Sequence, residues 1–221
     1  MNSLVLAGVI SSESQLKYSK EGKAICEFYL NFTSPGSPES WNQIKCVSFG
    51  KIAEASAQIR EGENIICVGA INVTNKEYQG VKSRLVEFKI QHVETTPALV
   101  SVNVVNLVGR AGRDPEVKYF ESGTNKCAGS LAVRRTSELA DWLDWEAWGK
   151  VGEIMGNYVR KGGLVGINGA LKFDKWNDRN SGELKIKPVI VVNQMDLLSE
   201  KKQQESGYDE SDDICNKVQN F

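Results

Sequence analysis

The chain has 221 residues, 41% of them apolar, which suits one large or two small packed domains and is too many for a disordered chain. Lys and Arg number 27 and Asp and Glu 28, a formal charge of −1, so bulk charge points neither toward nor away from a polyanionic partner. A single histidine, His92, excludes two-His metal sites and His acid–base pairs, and five scattered cysteines without a C-x-x-C exclude a disulfide framework or thiolate zinc site; no metal, cofactor or catalytic set is expected.

In chain order, Met1–Ile10 is apolar but lacks a basic flank and is cut short by Ser11 and Ser12, so it reads as a strand and not a signal peptide. Strand-like runs follow at Ala24–Phe32 and Trp41–Phe49. A helical stretch then puts Ile52, Ala55 and Ile59 on one face, with Gly62 standing where it would stop. Asn64–Thr74 and Leu85–Val93 read as two more strands, and Glu94–Ser101, containing Thr95-Thr96-Pro97, as a short linker. The same order begins again. Its helix carries Val151, Ile154, Met155, Tyr158 and Val159 on one face before Gly162, and Leu164–Phe173 and Leu184–Asn193 follow as strands. Ser199–Phe221 is polar and acidic with little to bury, and is expected to be a disordered tail. No apolar run approaches the roughly 18–20 residues of a bilayer span, so a soluble, cytoplasmic chain is expected, with no membrane partner.

The recurrence is a tandem duplication. Leu6-Ala7-Gly8 returns as Leu107-Val108-Gly109 and Leu16-Lys17-Tyr18 as Val117-Lys118-Tyr119, both shifted by 101. Phe49-Gly50-Lys51 returns as Trp148-Gly149-Lys150, shifted by 99, and Gly69-Ala70-Ile71 as Gly169-Ala170-Leu171, shifted by 100. The expected organisation is a divergent first domain over 1–96, a second over 97–198 and a tail over 199–221. Three strands, a helix and two strands per copy fit an all-β fold of two tandem five-stranded oligonucleotide/oligosaccharide-binding (OB) barrels, each with one helix between strands 3 and 4. The pattern alone leaves SH3-like and other small barrels open.

Strand parity then selects a face. In Trp142–Trp148, Leu143, Trp145 and Ala147 share one side and read as core, while Trp142, Asp144, Glu146 and Trp148 share the other. Tryptophans interleaved with charges on an exposed sheet suit stacking of unpaired bases. Leu171 and Phe173 point one way on the next arm, and Lys172, Asp174 and Trp176 the other, with Lys175 beside Trp176. In copy one the same parity groups Trp41, Gln43, Lys45, Val47 and Phe49, of which Trp41 and Phe49 suit stacking and Lys45 a phosphate; the matching hairpin offers Lys76 and Tyr78. Residues 1–96 carry ten basic and ten acidic residues, 97–198 fourteen and twelve, and 199–221 three and six. Copy two is the more basic. About half of Arg110, Arg113, Arg134, Arg135, Lys150, Lys161 and Lys187 are expected to touch phosphate. Asp144 and Glu146, on the tryptophan face, are expected to repel it.

Val102–Arg110, Gly112–Tyr119 (Gly-Arg-Asp-Pro-Glu-Val-Lys-Tyr) and Trp148-Gly149-Lys150 resemble the bacterial single-stranded DNA-binding protein (SSB) family across nearly all of copy two, and copy one is similar more distantly. The resemblance implies OB barrels that coat single-stranded DNA, turn over no substrate, and assemble as a homodimer of four barrels. Its stacking aromatics match Trp142, Trp148 and Trp176; in copy one the positions hold Gln43, Phe49 and about Lys76–Tyr78, which implies weaker binding there. The family's acidic tip, which recruits replication and repair proteins, is matched by Asp212, Asp213 and Ile214, but Cys215 replaces a proline and the terminal Phe221 stands seven residues beyond Ile214, so altered docking is expected. A second reading is an OB-fold assembly subunit that binds proteins and contacts DNA weakly.

Overall fold

Apolar side chains at about every second position give the barrel strands one buried side, and those strands close into barrels around it. The computed structural model describes residues 1–34, 36–78, 81–177, 182 and 184–199. Copy one runs β1 (Asn2–Ile10), β2 (Gln15–Tyr18), β3 (Ala24–Ser34), β4 (Ser37–Phe49), α1 (Lys51–Ser56), β5 (Asn64–Tyr78) and β6 (Val81–Thr95). Copy two repeats it as β7 (Asn103–Ala111), β8 (Glu116–Tyr119), β9 (Asn125–Arg134), β10 (Ala140–Trp148), α2 (Gly149–Tyr158), β11 (Leu164–Asn177) and β12 (Leu184–Ser199).

In copy one the barrel order is β1-β3-β4-β6-β5, closed by β5 on β1, with β4 and β6 parallel and the other pairs antiparallel. Copy two closes in the same way, with β10 and β12 parallel and β7 returning to β9. The recurring Leu-Lys-Tyr and Val-Lys-Tyr segments form a sixth strand in each copy, β2 or β8, hairpinned on β3 or β9 outside the closed barrel. The repeated Gly8 and Gly109 sit where the barrel closes. A Cβ on Gly8 would fall on the Asn31 carbonyl oxygen, and one on Gly109 would lie 2.6 Å from that of Ala132. Only a residue without a side chain lets these strands approach.

The helices follow the periodicity reading in part. In α1 the core side is Ile52, Ala53 and Ser56, followed beyond the helix by Ile59, while Ala55 is exposed. In α2 it is Val151, Gly152 and Met155, then Val159, as expected for Val151, Met155 and Val159; Ile154 and Tyr158 face solvent. The reason is close approach. A Cβ on Gly152 would lie 2.8 Å from Asn125 Oδ1 and one on Gly156 2.5 Å from Val117 Cγ2, so α2 approaches β9 and β8 closely along these glycines, while Ile154 and Tyr158 stand on the outer side. Gly62 and Gly162 do not end the helices, which stop at Ser56 and Tyr158. They lie in the following turns and donate their N–H groups to Ile10 (2.9 Å) and Ala111 (2.7 Å), tying each turn back to β1 or β7.

The two barrels share one sheet. β1 pairs antiparallel with β7 from Asn2↔Leu107 to Leu6↔Asn103. Two sets of side-chain clamps repeat on either side of this join, the first within each copy and the second between the copies. Asn2 accepts the Ile71 N–H and donates to its carbonyl (3.0 and 2.7 Å); Asn103 does the same to Leu171 (2.9 and 2.8 Å). Asn42 Oδ1 accepts the Phe173 N–H of the other copy at 3.2 Å, and Asp141 Oδ1 accepts the Val73 N–H at 2.6 Å. Phe32 meets Phe173 edge-on at 6.1 Å, and the core continues from one barrel into the other. Neither helix is long and apolar enough to cross a membrane.

Candidate nucleic-acid interface

Of the five tryptophans only Trp145 is core, at 2% exposure; Trp41, Trp142, Trp148 and Trp176 are 43, 49, 42 and 46% exposed. A tryptophan is ordinarily among the most buried of residues, so four this open call for a reason. β10 supplies two of them. Leu143, Trp145 and Ala147 fill the barrel, which turns Trp142 and Trp148 outward.

Each indole has a seat. Trp142 lies over Gly112, where a Cβ would come within 2.5 Å of the ring carbon Cζ3 and 2.6 Å of Ser130 Oγ. Trp148 stacks on Phe120, with ring centres 5.9 Å apart and planes inclined by 17°. The Lys126 ammonium stands 5.3 Å from its centre, and its Nε1–H donates to Glu146 Oε1 at 3.1 Å. Phe120 and Lys126 were missed by strand parity. Lys126 is the cross-strand partner of Trp148 on β9, and the register that pairs them is not written in either strand.

The two carboxylates expected to repel phosphate do not stand free. Glu146 is 3% exposed and ion-paired to Lys126 and to Lys172, the latter at 2.6 Å. Burial alone would raise its pKa, but the hydrogen bonds from Lys126, Lys172 and Trp148 outweigh it and hold the group below the ordinary carboxylate value. Asp144 pairs with Lys187 at 3.2 Å. Parity reads direction and not depth; Glu146 points outward but is roofed by Trp148 and the two lysines.

The arm of β11 carries Lys172, which also pairs with Asp174 at 2.9 Å, and the exposed Trp176. Lys175 reaches the other copy and donates to the Trp41 carbonyl oxygen at 3.4 Å, so the copy-two arm lies against the copy-one face. On that face Gln43 donates to Ser11 Oγ and Asn31 Oδ1 (3.1 and 3.3 Å). Lys45 bridges Glu27 at 2.8 Å and Glu87 at 3.2 Å. Phe49 has Lys23 and Lys89 at 5.3 and 5.0 Å from its ring centre, the counterpart of the cation over Trp148. The side chains of Lys76 and Tyr78 lie outside the described residues.

Among the arginines, Arg110 and Arg134 are exposed and donate to backbone carbonyls of Gly162 (2.8 Å) and Thr136 (3.0 Å). Arg113 is exposed beside Gly112, and Lys150 is exposed on the first turn of α2. Arg135 is committed elsewhere. It pairs with Asp141 through both Nε and Nη2 and donates to the Val73 carbonyl at 2.8 Å, bracing the join between the copies. Asp212, Asp213, Ile214 and Phe221 lie outside the described residues. Among the described residues no cluster of His, Cys, Asp and Glu could hold a metal ion.

Comparison with known proteins bears on both copies. The model of the Single-strand binding protein family matches residues 1–96 and 102–198. Single-stranded DNA-binding protein 1 of Synechocystis sp. is 64% identical over 107 residues, 47% of this chain and 88% of that protein. The protein of the same name from Nostoc sp. is 51% identical over 110 residues, 49% of this chain and 92% of that protein. Among solved structures, the wild-type single-stranded DNA binding protein from Thermus aquaticus matches with a TM-score of 0.72 at 22% identity, covering 92% of this chain and 96% of that one, a likeness of fold. Two successive family matches, one on each barrel of the repeat, establish that this chain belongs to the single-strand binding protein family.

Proposed function

We propose that this chain binds single-stranded DNA without reading its sequence, by stacking bases on outward tryptophans while exposed cations follow the phosphates. The carrying observation is the group of four tryptophans between 42 and 49% exposed, spread over both copies. Stacking needs an accessible π-face and no base-specific hydrogen bonds, which suits an arrangement of indoles and ammonium groups. Trp142, Trp148 and Trp176 form the copy-two platform, Trp41 and Phe49 the copy-one platform. Arg110, Arg113, Arg134 and Lys150 meet phosphate. Lys45, Lys172 and Arg135 already carry carboxylate partners and serve the face by holding it. Lys175 sits at the join, where it can serve both platforms.

In this reading residues 1–96 and 97–198 are the two binding units, and two chains associate to present four barrels. Residues 199–221 form a tail through which Asp212, Asp213, Ile214 and Phe221 meet replication and repair proteins. The protein catalyses no reaction and works in the cytoplasm. The four described cysteines are free and buried, which fits a reducing compartment.

The test is tryptophan fluorescence during titration with oligo-dT of increasing length, against duplex DNA, at low and high salt. Quenching by oligo-dT alone, with affinity falling as salt rises, is the expected result. Trp142→Ala with Trp176→Ala is expected to weaken binding by several hundred-fold, from roughly 1–3 kcal/mol per stacked base. Equal binding of duplex, or unchanged affinity in the double variant, overturns the reading.

A further inference from the structure

We propose that Glu146 is an internal counter-ion. It fills, for Lys126 and Lys172, the place that a DNA phosphate would otherwise take, so the two lysines position the Trp148 ring and add nothing to salt-dependent phosphate binding. The inference rests on the single-stranded DNA reading and deepens it, since it sets which cations of the copy-two face the DNA can use.

Three observations carry it. First, both lysines converge from different strands, β9 and β11, on one carboxylate that is 3% exposed, and Lys172 also holds Asp174 at 2.9 Å. Two ammonium groups against two carboxylates leave the cluster with no net charge to offer a phosphate. Second, the same carboxylate accepts the Trp148 Nε1–H at 3.1 Å, and Lys126 stands 5.3 Å over that ring. Charge neutralisation and ring placement are therefore functions of one residue. Third, the matching position of copy one, shifted by 99, is the apolar Val47, while Lys45 there is held by Glu27 and Glu87 instead. Each copy neutralises a lysine of its aromatic face with its own carboxylates, by different residues. A charge-assisted pair beneath an indole is only partly screened, so such lysines stay on their carboxylates at ordinary salt.

Glu146→Gln keeps an oxygen for the Trp148 N–H but removes the charge, releasing one net positive charge to the DNA. Titration with oligo-dT at several salt concentrations is expected to give a log–log slope steeper than that of the native chain by about 0.7. Its affinity advantage then grows about fivefold for each tenfold fall in salt. The charge-conserving pair Glu146→Gln with Lys172→Gln is expected to return the native slope. This second variant decides the matter even where Glu146→Gln alone does not fold, because it leaves the cluster balanced. A slope unchanged in Glu146→Gln, or shallower by about 0.7 in the double variant, means that Lys172 already holds a phosphate and overturns the inference. Failure of the native chain to prefer oligo-dT over duplex at any salt overturns the DNA reading itself, a result distinct from either.

Discussion

The Trp142 ring is open to solvent on one side because Gly112 is flat beneath the other. A methyl group at Gly112 meets the far edge of that ring at 2.5 Å and Ser130 Oγ at 2.6 Å, whereas the backbone has room. The indole is the part able to swing away. Gly112→Ala is thus expected to tilt Trp142 off its seat, with little change in thermal midpoint, a shift in tryptophan emission and about three- to tenfold weaker binding of oligo-dT, at the low end of the worth of one stacked base. Binding and emission both unchanged would show that the ring does not use this seat. Trp148 is held differently, by Phe120 on its face and Glu146 at its N–H, so no single small residue governs it.

At the scale of elements, the clamps that join the copies do more than their number suggests. Asp141 is fully buried; it accepts the Val73 N–H and neutralises Arg135, which also donates to the Val73 carbonyl. Asp141→Ala leaves a backbone N–H and a guanidinium without their acceptor. Removing one partner of a fully buried pair costs about 3–5 kcal/mol; Arg135 is partly exposed, so about 2–3 kcal/mol is expected in urea unfolding. Asn42→Ala, at the matching place in copy one, removes neutral hydrogen bonds only and is expected to cost about 1 kcal/mol. Equal losses would mean that the charge of Asp141 contributes nothing. Asp141 also immediately precedes Trp142, so the latch that joins the barrels fixes the start of the strand carrying the copy-two platform.

Over the whole molecule, β1 of one barrel is hydrogen-bonded to β7 of the other, and each barrel closes its own β5 or β11 onto that same strand. Neither copy can lose its first strand without opening the other's edge. The two barrels are therefore expected to unfold as one cooperative unit, giving a single calorimetric transition whose van't Hoff and calorimetric enthalpies agree. Two resolved transitions would show that the shared sheet does not couple them. The joined sheet also brings the β11 arm against Trp41, so the two aromatic faces are neighbours across the join and not remote sites on a flexible link.

The sequence by itself determined the duplication, the chain order of the five barrel strands and the helix, the core side of β10 and the outward side of Trp142, Trp148 and Trp176, but not the outer strands β2 and β8 or which strands pair. Those features follow from local spacing, because a strand has only two sides and one must be buried. Helix faces were less legible. The core row of α2 combines the periodic Val151, Met155 and Val159 with Gly152, and its close approach to Asn125 and Val117 at Gly152 and Gly156 is a tertiary contact that hydrophobic period does not record. What only the tertiary structure decided is who neutralises whom. Glu146, Lys126 and Lys172 come from three different strands; Asp141 and Arg135 stand six residues apart, but the Val73 they both hold belongs to the other copy. Charge and parity say that such side chains leave the core. Register, barrel closure and the β1–β7 join determine whether they meet solvent, a phosphate or one another, since ion pairing depends on distances that no single strand contains.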